Sequence, residues 1–135
     1  MSDNKIWDSE HFEVRNSNIV NAGKGLFSKV RINKGDTIGH YTGIVVSDEE
    51  AEQEPHVDSH YIVWVCKDCN IVGEGPKASH TRYINHHTSP NSQFVVSTRW
   101  KKARIEATRT IQPGQEVFVD YGEEYWEVFR EEQLA

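Results

Sequence analysis

Apolar residues in this chain fall into short runs broken by glycine, proline and asparagine, and little of the sequence keeps a helical spacing. Short runs bounded by turn residues predict strands. Phe12, Val14 and Ile19 mark the first, and Leu26-Phe27 a second, after a pair of glycines. Residues 37–46 read as one longer strand with Tyr41 and Gly43 inside it. Ser47-Asp48-Glu49-Glu50 has the Ser-x-x-Glu form of a capping box, in which hydroxyl and carboxylate satisfy free backbone N–H groups. A short helix ending before Pro55 follows. Residues 61–65 and 71–72 predict a hairpin around 66–70, and 94–96, 103–107 and 117–119 are further strand candidates. Residues 123–133 predict a terminal helix with Trp126 and Phe129 on one face.

One internal echo organises these pieces. Ile32-Asn33-Lys34-Gly35-Asp36-Thr37-Ile38 and Ile111-Gln112-Pro113-Gly114-Gln115-Glu116-Val117 share the form Ile-x-x-Gly-x-x-(Ile/Val). Each copy predicts a strand, a tight glycine turn and a returning strand, followed by a tyrosine, Tyr41 or Tyr121. The expected class is therefore mostly β, with several small sheets and short helices and no doubly wound sheet.

Composition narrows the function classes. With 135 residues, 36% hydrophobic and 27% charged, the chain suits one folded domain. The start is polar and acidic, without a signal-peptide pattern, and no segment suits a bilayer. An intracellular location follows as the expectation, cytoplasmic, or nuclear and chromatin-bound in a eukaryotic host. A formal net charge of -6 argues against direct nucleic-acid binding and suits a basic partner, although it equally serves solubility. Cys66 and Cys69 form a single CxxC, which supplies two of the four ligands a structural zinc needs. They read as hairpin-tip thiols, ahead of a metal shared across a homodimer or completed by His56 and His60. No metal is expected.

Three short segments carry candidate chemistry, each with a bland alternative. Gly23-Lys24-Gly25 offers backbone that a small polar ligand can approach closely, or simply a turn. Arg82-Tyr83-Ile84-Asn85-His86-His87-Thr88-Ser89-Pro90-Asn91 offers several amides and imidazoles for a polar cofactor, or an ordinary Asn/Pro loop. In Gly114-Gln115-Glu116-Val117-Phe118-Val119-Asp120-Tyr121-Gly122 a phenol stands at a strand end, a common place for a core tyrosine.

In this order, with Tyr41-Thr42-Gly43 and Ala107-Thr108-Arg109-Thr110-Ile111 between them, the segments resemble the SET-domain family of protein-lysine methyltransferases, in its compact bacterial and viral form. The resemblance runs from about Phe12 to Trp126. It implies a β-clip-like fold with a C-terminal pseudoknot, near which Asn91 to Phe94 would lie. It divides the chain into an N-terminal extension (1–11), the domain (12–122) and a helical segment (123–135) closing the lysine channel. It also implies S-adenosylmethionine as methyl donor, bound by Lys24, Gly25, Leu26, Tyr61, Arg82, Asn85, His86, Tyr121 and Trp126, with Tyr121 as the catalytic residue. Tyr41, Phe94, Val119 and Tyr125 would line the channel for a lysine of a basic protein, a histone or another. The sequence departs from the family in two places. His87-Thr88 follows Asn85-His86 where many members have Ser-Cys, and no cysteine-rich zinc segment follows the domain. Phe94 and Val119 stand where a Phe/Tyr choice often limits the number of methyl groups; two apolar residues favour more than one. The alternative expectation is a SET-like module that binds a basic peptide without catalysis.

Overall fold

In the computed structural model residues 4–57, 59 and 61–119 are described. After a 3-10 turn at Ser9–His11, the strands are β1 (Phe12–Asn16), β2 (Lys24–Ser28), β3 (Thr37–Tyr41) and β4 (Ile44–Val46). The helix α1 (Asp48–Ala51), β5 (Ile62–Cys66), β6 (Cys69–Val72) and a 3-10 turn at His80–Tyr83 come next. The described part ends with β7 (Asn85–His86), β8 (Ser92–Ser97), β9 (Lys102–Ala107) and β10 (Phe118–Val119). They form three small sheets: β1-β2, β3-β9-β8-β10-β7 and β4-β6-β5. The fold is mostly β and built of small sheets, as its short apolar runs require.

The sequence echo becomes a pseudo-twofold at the centre. The two copies are offset by 79 positions (111 − 32 = 79). Ile32 donates its N–H to the Ile111 carbonyl at 2.8 Å, and Ile111 returns the bond at 2.9 Å. Gly35 N–H donates to Ala107 at 2.8 Å just as Gly114 N–H donates to Ser28 at 2.7 Å. Even the side chains repeat, since Asp36 accepts from Asn33 N–H at 3.0 Å and Gln115 from Gln112 N–H at 2.7 Å. Both glycines hold positive φ, +93° and +88°, where a Cβ would strain the turn. Neither copy could bury its own isoleucines. Paired, they place Ile32, Ile38, Ile111 and Val117 wholly out of water at the core.

Two expectations fail here. Residues 37–46 are not one strand: β3 ends at Tyr41 in the large sheet, and β4 pairs with β6 in another. Between them Gly43 lies so close to β6 that a Cβ would sit 1.9 Å from the Val72 carbonyl oxygen. Ile19 lies in a turn beyond the end of β1. Apolar periodicity reports which face is buried and not which sheet a strand joins, so neither break shows in the pattern. Elsewhere the local signals hold. Ser47 and Glu50 make both bonds of the capping box. The β5-β6 hairpin is longer than expected and turns at Lys67-Asp68, with Asp68 at φ +59°. Residues 5–7 also stitch onto β3, through Thr37 N–H to Lys5 O at 2.8 Å and Trp7 N–H to Thr37 O at 2.9 Å.

The sheet order also sets the last described strand in place. β10 lies between β7 and β8 and parallel to both, so residues 87–91, which join those two strands, bridge across it. Asn91 clamps the inserted segment, donating Nδ2 to Glu116 O at 2.9 Å and accepting Phe118 N–H on Oδ1 at 2.8 Å. Ser92 Oγ adds a bond to Phe118 O at 2.6 Å. Everything after Val119, including Tyr121, Tyr125, Trp126 and the expected terminal helix, lies outside the described residues.

Candidate active site

The site is assembled around the 3-10 turn His80–Tyr83. Ser79 caps it, accepting Thr81 N–H on Oγ and donating Oγ–H to His40 O at 2.7 Å. His80 sits half-buried, with Nε2 2.9 Å from Ile38 O and its ring stacked 4.9 Å from Phe12. Only glycine fits opposite, because a Cβ on Gly39 would lie 2.7 Å from that ring. Burial pushes the His80 pKa below its ordinary value, so the ring is neutral at pH 7. The turn thereby delivers Arg82 into a cavity of about 350 Å³ whose lining includes Gly23, Lys24, Tyr61, Arg82, Asn85 and His86.

Inside that cavity the guanidinium of Arg82 stacks over the Tyr61 ring at 4.2 Å. Its Nε is buried and has no acceptor among the described residues. Such an orphan donor costs free energy unless a ligand or water satisfies it. The carbonyl of Lys24 is taken by Asn85 Nδ2 at 2.9 Å, while its Nζ reaches Asn16 Oδ1 at 3.0 Å.

The residue the sequence reading missed is Glu116. Its side chain is 3% exposed. It accepts from Ser17 Oγ at 2.7 Å, Asn18 N–H at 2.8 Å and Asn85 Nδ2 at 3.2 Å. One carboxylate thus ties the loop before β2, the strand β7 and the inserted C-terminal segment into a single wall. It also explains Gly25. A Cβ there would lie 2.2 Å from Glu116 Oε2, so the glycine makes room for a carboxylate of the protein. Gly25 does not line the cavity, and Leu26 is core, its carbonyl bound to Val117 N–H at 2.8 Å. The only sequence hint of Glu116 was its place in the echoed turn, opposite Thr37 in the other copy.

Two of the channel candidates, Tyr41 and Phe94, meet beside Tyr61. The Tyr41 hydroxyl donates to the Tyr61 carbonyl, and the Tyr41 ring meets Phe94 edge-on with centroids 6.0 Å apart. Val119 is fully buried in β10, in register with Ser92 and His86. Tyr41 in turn lines a second cavity, of about 540 Å³. Of the expected site, Lys24, Tyr61, Arg82, Asn85 and His86 share one cavity, and Tyr41 and Phe94 form a second cluster beside it. Tyr121, Tyr125 and Trp126 fall outside the described residues.

Cys66 and Cys69 face each other across the hairpin turn as free thiols, and burial, reinforced by Cys66, pushes the Cys69 pKa up. Among the described residues no group of three or more His, Cys, Asp or Glu side chains is placed to hold a metal.

Set beside known protein families, residues 23–122 match the SET domain. The chain belongs to the SET-domain family. It is 31% identical over 106 residues to the Drosophila melanogaster histone-lysine N-methyltransferase Set2, covering 73% of this chain and 5% of that protein. It is 28% identical over 120 residues to the human histone-lysine N-methyltransferase, H3 lysine-36 specific, covering 81% of this chain and 4% of that one. The chain therefore spans about a twentieth of the length of these relatives. The SET match takes in Gly23 at one end and Tyr121-Gly122 at the other, and so contains the whole cavity lining except Ala22.

Proposed function

We propose that this SET domain transfers methyl groups from S-adenosylmethionine to lysine side chains of a protein substrate. One observation carries the reading: Tyr61 joins the Arg82 cavity to the Tyr41-Phe94 cluster, its ring packed against the Arg82 guanidinium and its carbonyl accepting the Tyr41 hydroxyl. The use of this donor is a general property of SET methyltransferases. The residues present suit it. The cavity is of small-molecule size, and the buried Arg82 Nε is a donor without an acceptor among the described residues, available to a carboxylate or ribose oxygen. Arg82, Asn85 and the Gly23-Lys24 backbone would hold the donor's polar groups. When bound, the donor supplies an electrophilic methyl on a sulfonium.

The chain's own residues have two tasks. A lysine has a reference pKa of about 10.4, so only about one in two thousand is an uncharged nucleophile at neutral pH. Apolar walls disfavour the ammonium and raise that fraction. Tyr41 and Phe94 would supply such walls, packing the aliphatic stem and excluding water. The second task is alignment of the amine lone pair with the methyl carbon. That role falls to Tyr121, two residues after Val119 in sequence, on the family resemblance. A phenol with a reference pKa of about 10 orients the amine and does not remove its proton at neutral pH. Neither Phe94 nor Val119 carries a hydroxyl to restrain the nitrogen, which favours more than one transfer.

The test couples binding to turnover. Titration calorimetry of wild type with S-adenosylmethionine should show saturable binding, weakened on the order of tenfold by Arg82→Ala, the loss of one charge-assisted contact. Labelled donor should mark a lysine in a panel of proteins with wild type and not with Tyr121→Phe. A folded protein that takes up no donor and labels nothing refutes the proposal. Donor binding without transfer to any protein would leave a binding module.

A further inference from the structure

The second cavity is lined by Tyr41, Val45, Ile71 and Ala103, with Lys77, Lys101 and Lys102 around its mouth. His40, Lys102 and Ala103 also line a neighbouring cavity of about 310 Å³ that runs to Trp100. The neighbouring cavity lies on the sheet face that carries Val95, His40 and Arg104, and the second cavity is a groove at the end of that sheet, beside Tyr41 and Ala103. Its position is fixed by one side-chain hydrogen bond and by strand pairing. Thr42 Oγ1 donates to Lys77 O at 2.6 Å, and β3 pairs with β9 through His40-Arg104 and Tyr41-Ala103.

Three features separate this groove from an ordinary solvated face. Its charge has one sign: the lining contains Lys77, Lys101, Lys102 and His40 and no carboxylate, although acidic residues outnumber basic ones 21 to 15 in the whole chain. Among the described residues no carboxylate pairs with Lys77, Lys101 or Lys102. Large apolar groups also stand open to water beside the lysines. Trp100 is 65% exposed, with the Arg99 guanidinium 4.9 Å from its ring, and Val45 is 64% exposed. Exposed aromatic and aliphatic surface rimmed by charge marks an interaction site. Finally, Tyr41 forms a wall of the groove while its hydroxyl is held by Tyr61 of the donor cavity.

We propose that the protein substrate lies in this groove and that Lys77, Lys101 and Lys102 select acidic residues close to the lysine to be methylated. This rests on the methyltransferase reading and deepens it. It also reverses what the net charge of -6 suggested, a basic substrate. At physiological ionic strength charges are screened beyond about 8 Å, so the substrate segment meets the local cations of the groove and not the chain's total. The apolar floor of Val45, Ile71 and Ala103 suits side chains of an extended peptide. A nucleic acid would find lysines and Trp100, but little use for that floor.

The experiment measures binding and transfer separately. Fluorescein-labelled peptides of equal length, each with one central lysine flanked by glutamate, serine or arginine, are titrated with the full chain at low and high salt. A labelled single-stranded oligonucleotide is titrated beside them. The glutamate peptide should bind on the order of tenfold more tightly than the serine peptide, as three exposed ion pairs would give, and lose that margin in high salt. The triple variant Lys77→Glu, Lys101→Glu, Lys102→Glu, checked for folding by circular dichroism, should prefer the arginine peptide. Because all three side chains are exposed, the fold should survive; single reversals serve if it does not. No preference among the peptides, or an oligonucleotide bound more tightly than the glutamate peptide, overturns the proposal. Methyl transfer to each peptide is then read independently. Transfer without acidic preference leaves the enzyme and removes the groove. Acidic preference without transfer to any peptide keeps the groove as a docking site and removes the enzyme.

Discussion

The contact between Gly25 and Glu116 gives the sharpest test of how this site is built. Replacing Gly25 by alanine places a methyl 2.2 Å from Glu116 Oε2, with Ser17 Cβ next at 3.2 Å. The backbone at Gly25 is not in the left-handed region, so alanine carries no conformational penalty of its own and gains up to about 1 kcal/mol through the unfolded state. The carboxylate must move. Oε2 holds the Ser17 hydroxyl at 2.7 Å and the Asn85 amide at 3.2 Å, and hydrogen bonds to a charged group contribute about 1.5–3 kcal/mol each. Allowing for partial relaxation and the entropic gain, Gly25→Ala should destabilise by about 3 kcal/mol, a shift of roughly 1–2 M in the urea midpoint. Glu116→Ala removes the obstructing atom and is itself destabilising, because three donors lose their acceptor. Adding Gly25→Ala to that background should cost almost nothing. The double-mutant cycle, by urea unfolding followed with tryptophan fluorescence, should therefore give a coupling of about 3 kcal/mol. An equal cost of Gly25→Ala in both backgrounds would refute the argument and return Gly25 to the role of a ligand-approach glycine.

Two further outcomes follow from burial. The pKa of His80 is held below its ordinary value by desolvation, which outweighs the Ile38 carbonyl and the charge of Asp8 acting the other way. As pH falls below about 6.5 the unfolded chain takes up a proton that folded His80 refuses, so stability is full above that pH and declines toward pH 5. The slope attributable to this residue stays below the ~1.4 kcal/mol per pH unit of one full proton, and His80→Gln should flatten it; an unchanged slope would remove His80 from the account. At the hairpin, iodoacetamide at pH 8 should modify half-buried Cys66 well before Cys69, whose thiol is buried and raised in pKa. Mass spectrometry reads the order directly, and equal labelling would contradict the burial described for Cys69.

Much of this protein was legible in its residues because the signals were local. The Ser47 capping box, the glycine turns at Gly35 and Gly114 and most of the short apolar runs depend on neighbours a few positions away, and they appear where their patterns require. The echo of Ile32 to Ile38 in Ile111 to Val117 was visible too. Nothing in a linear comparison, however, shows that the two copies pair with each other or exchange returning strands, because hydrogen bonds across 79 positions leave no periodicity. The same limit explains why residues 37–46 read as one strand. The break at Gly43 answers to the Val72 carbonyl of a different segment.

The candidate site divides along the same line. Arg82, Asn85 and Lys24 could be named from motifs, since a polar loop and a glycine pair announce themselves in composition. Glu116 could not, because an acidic residue near a turn is usually solvated, and only the folded chain shows three donors converging on it. The sequence alone determined most of the element types and the family pattern, and it named the candidate side chains. Tertiary structure alone decided which of them share a cavity, why Gly25 must lack a side chain, and where a chain with net charge -6 gathers its lysines. Those are properties of residues far apart in sequence brought within a few ångströms, and the energies that hold them exist only once the core has closed.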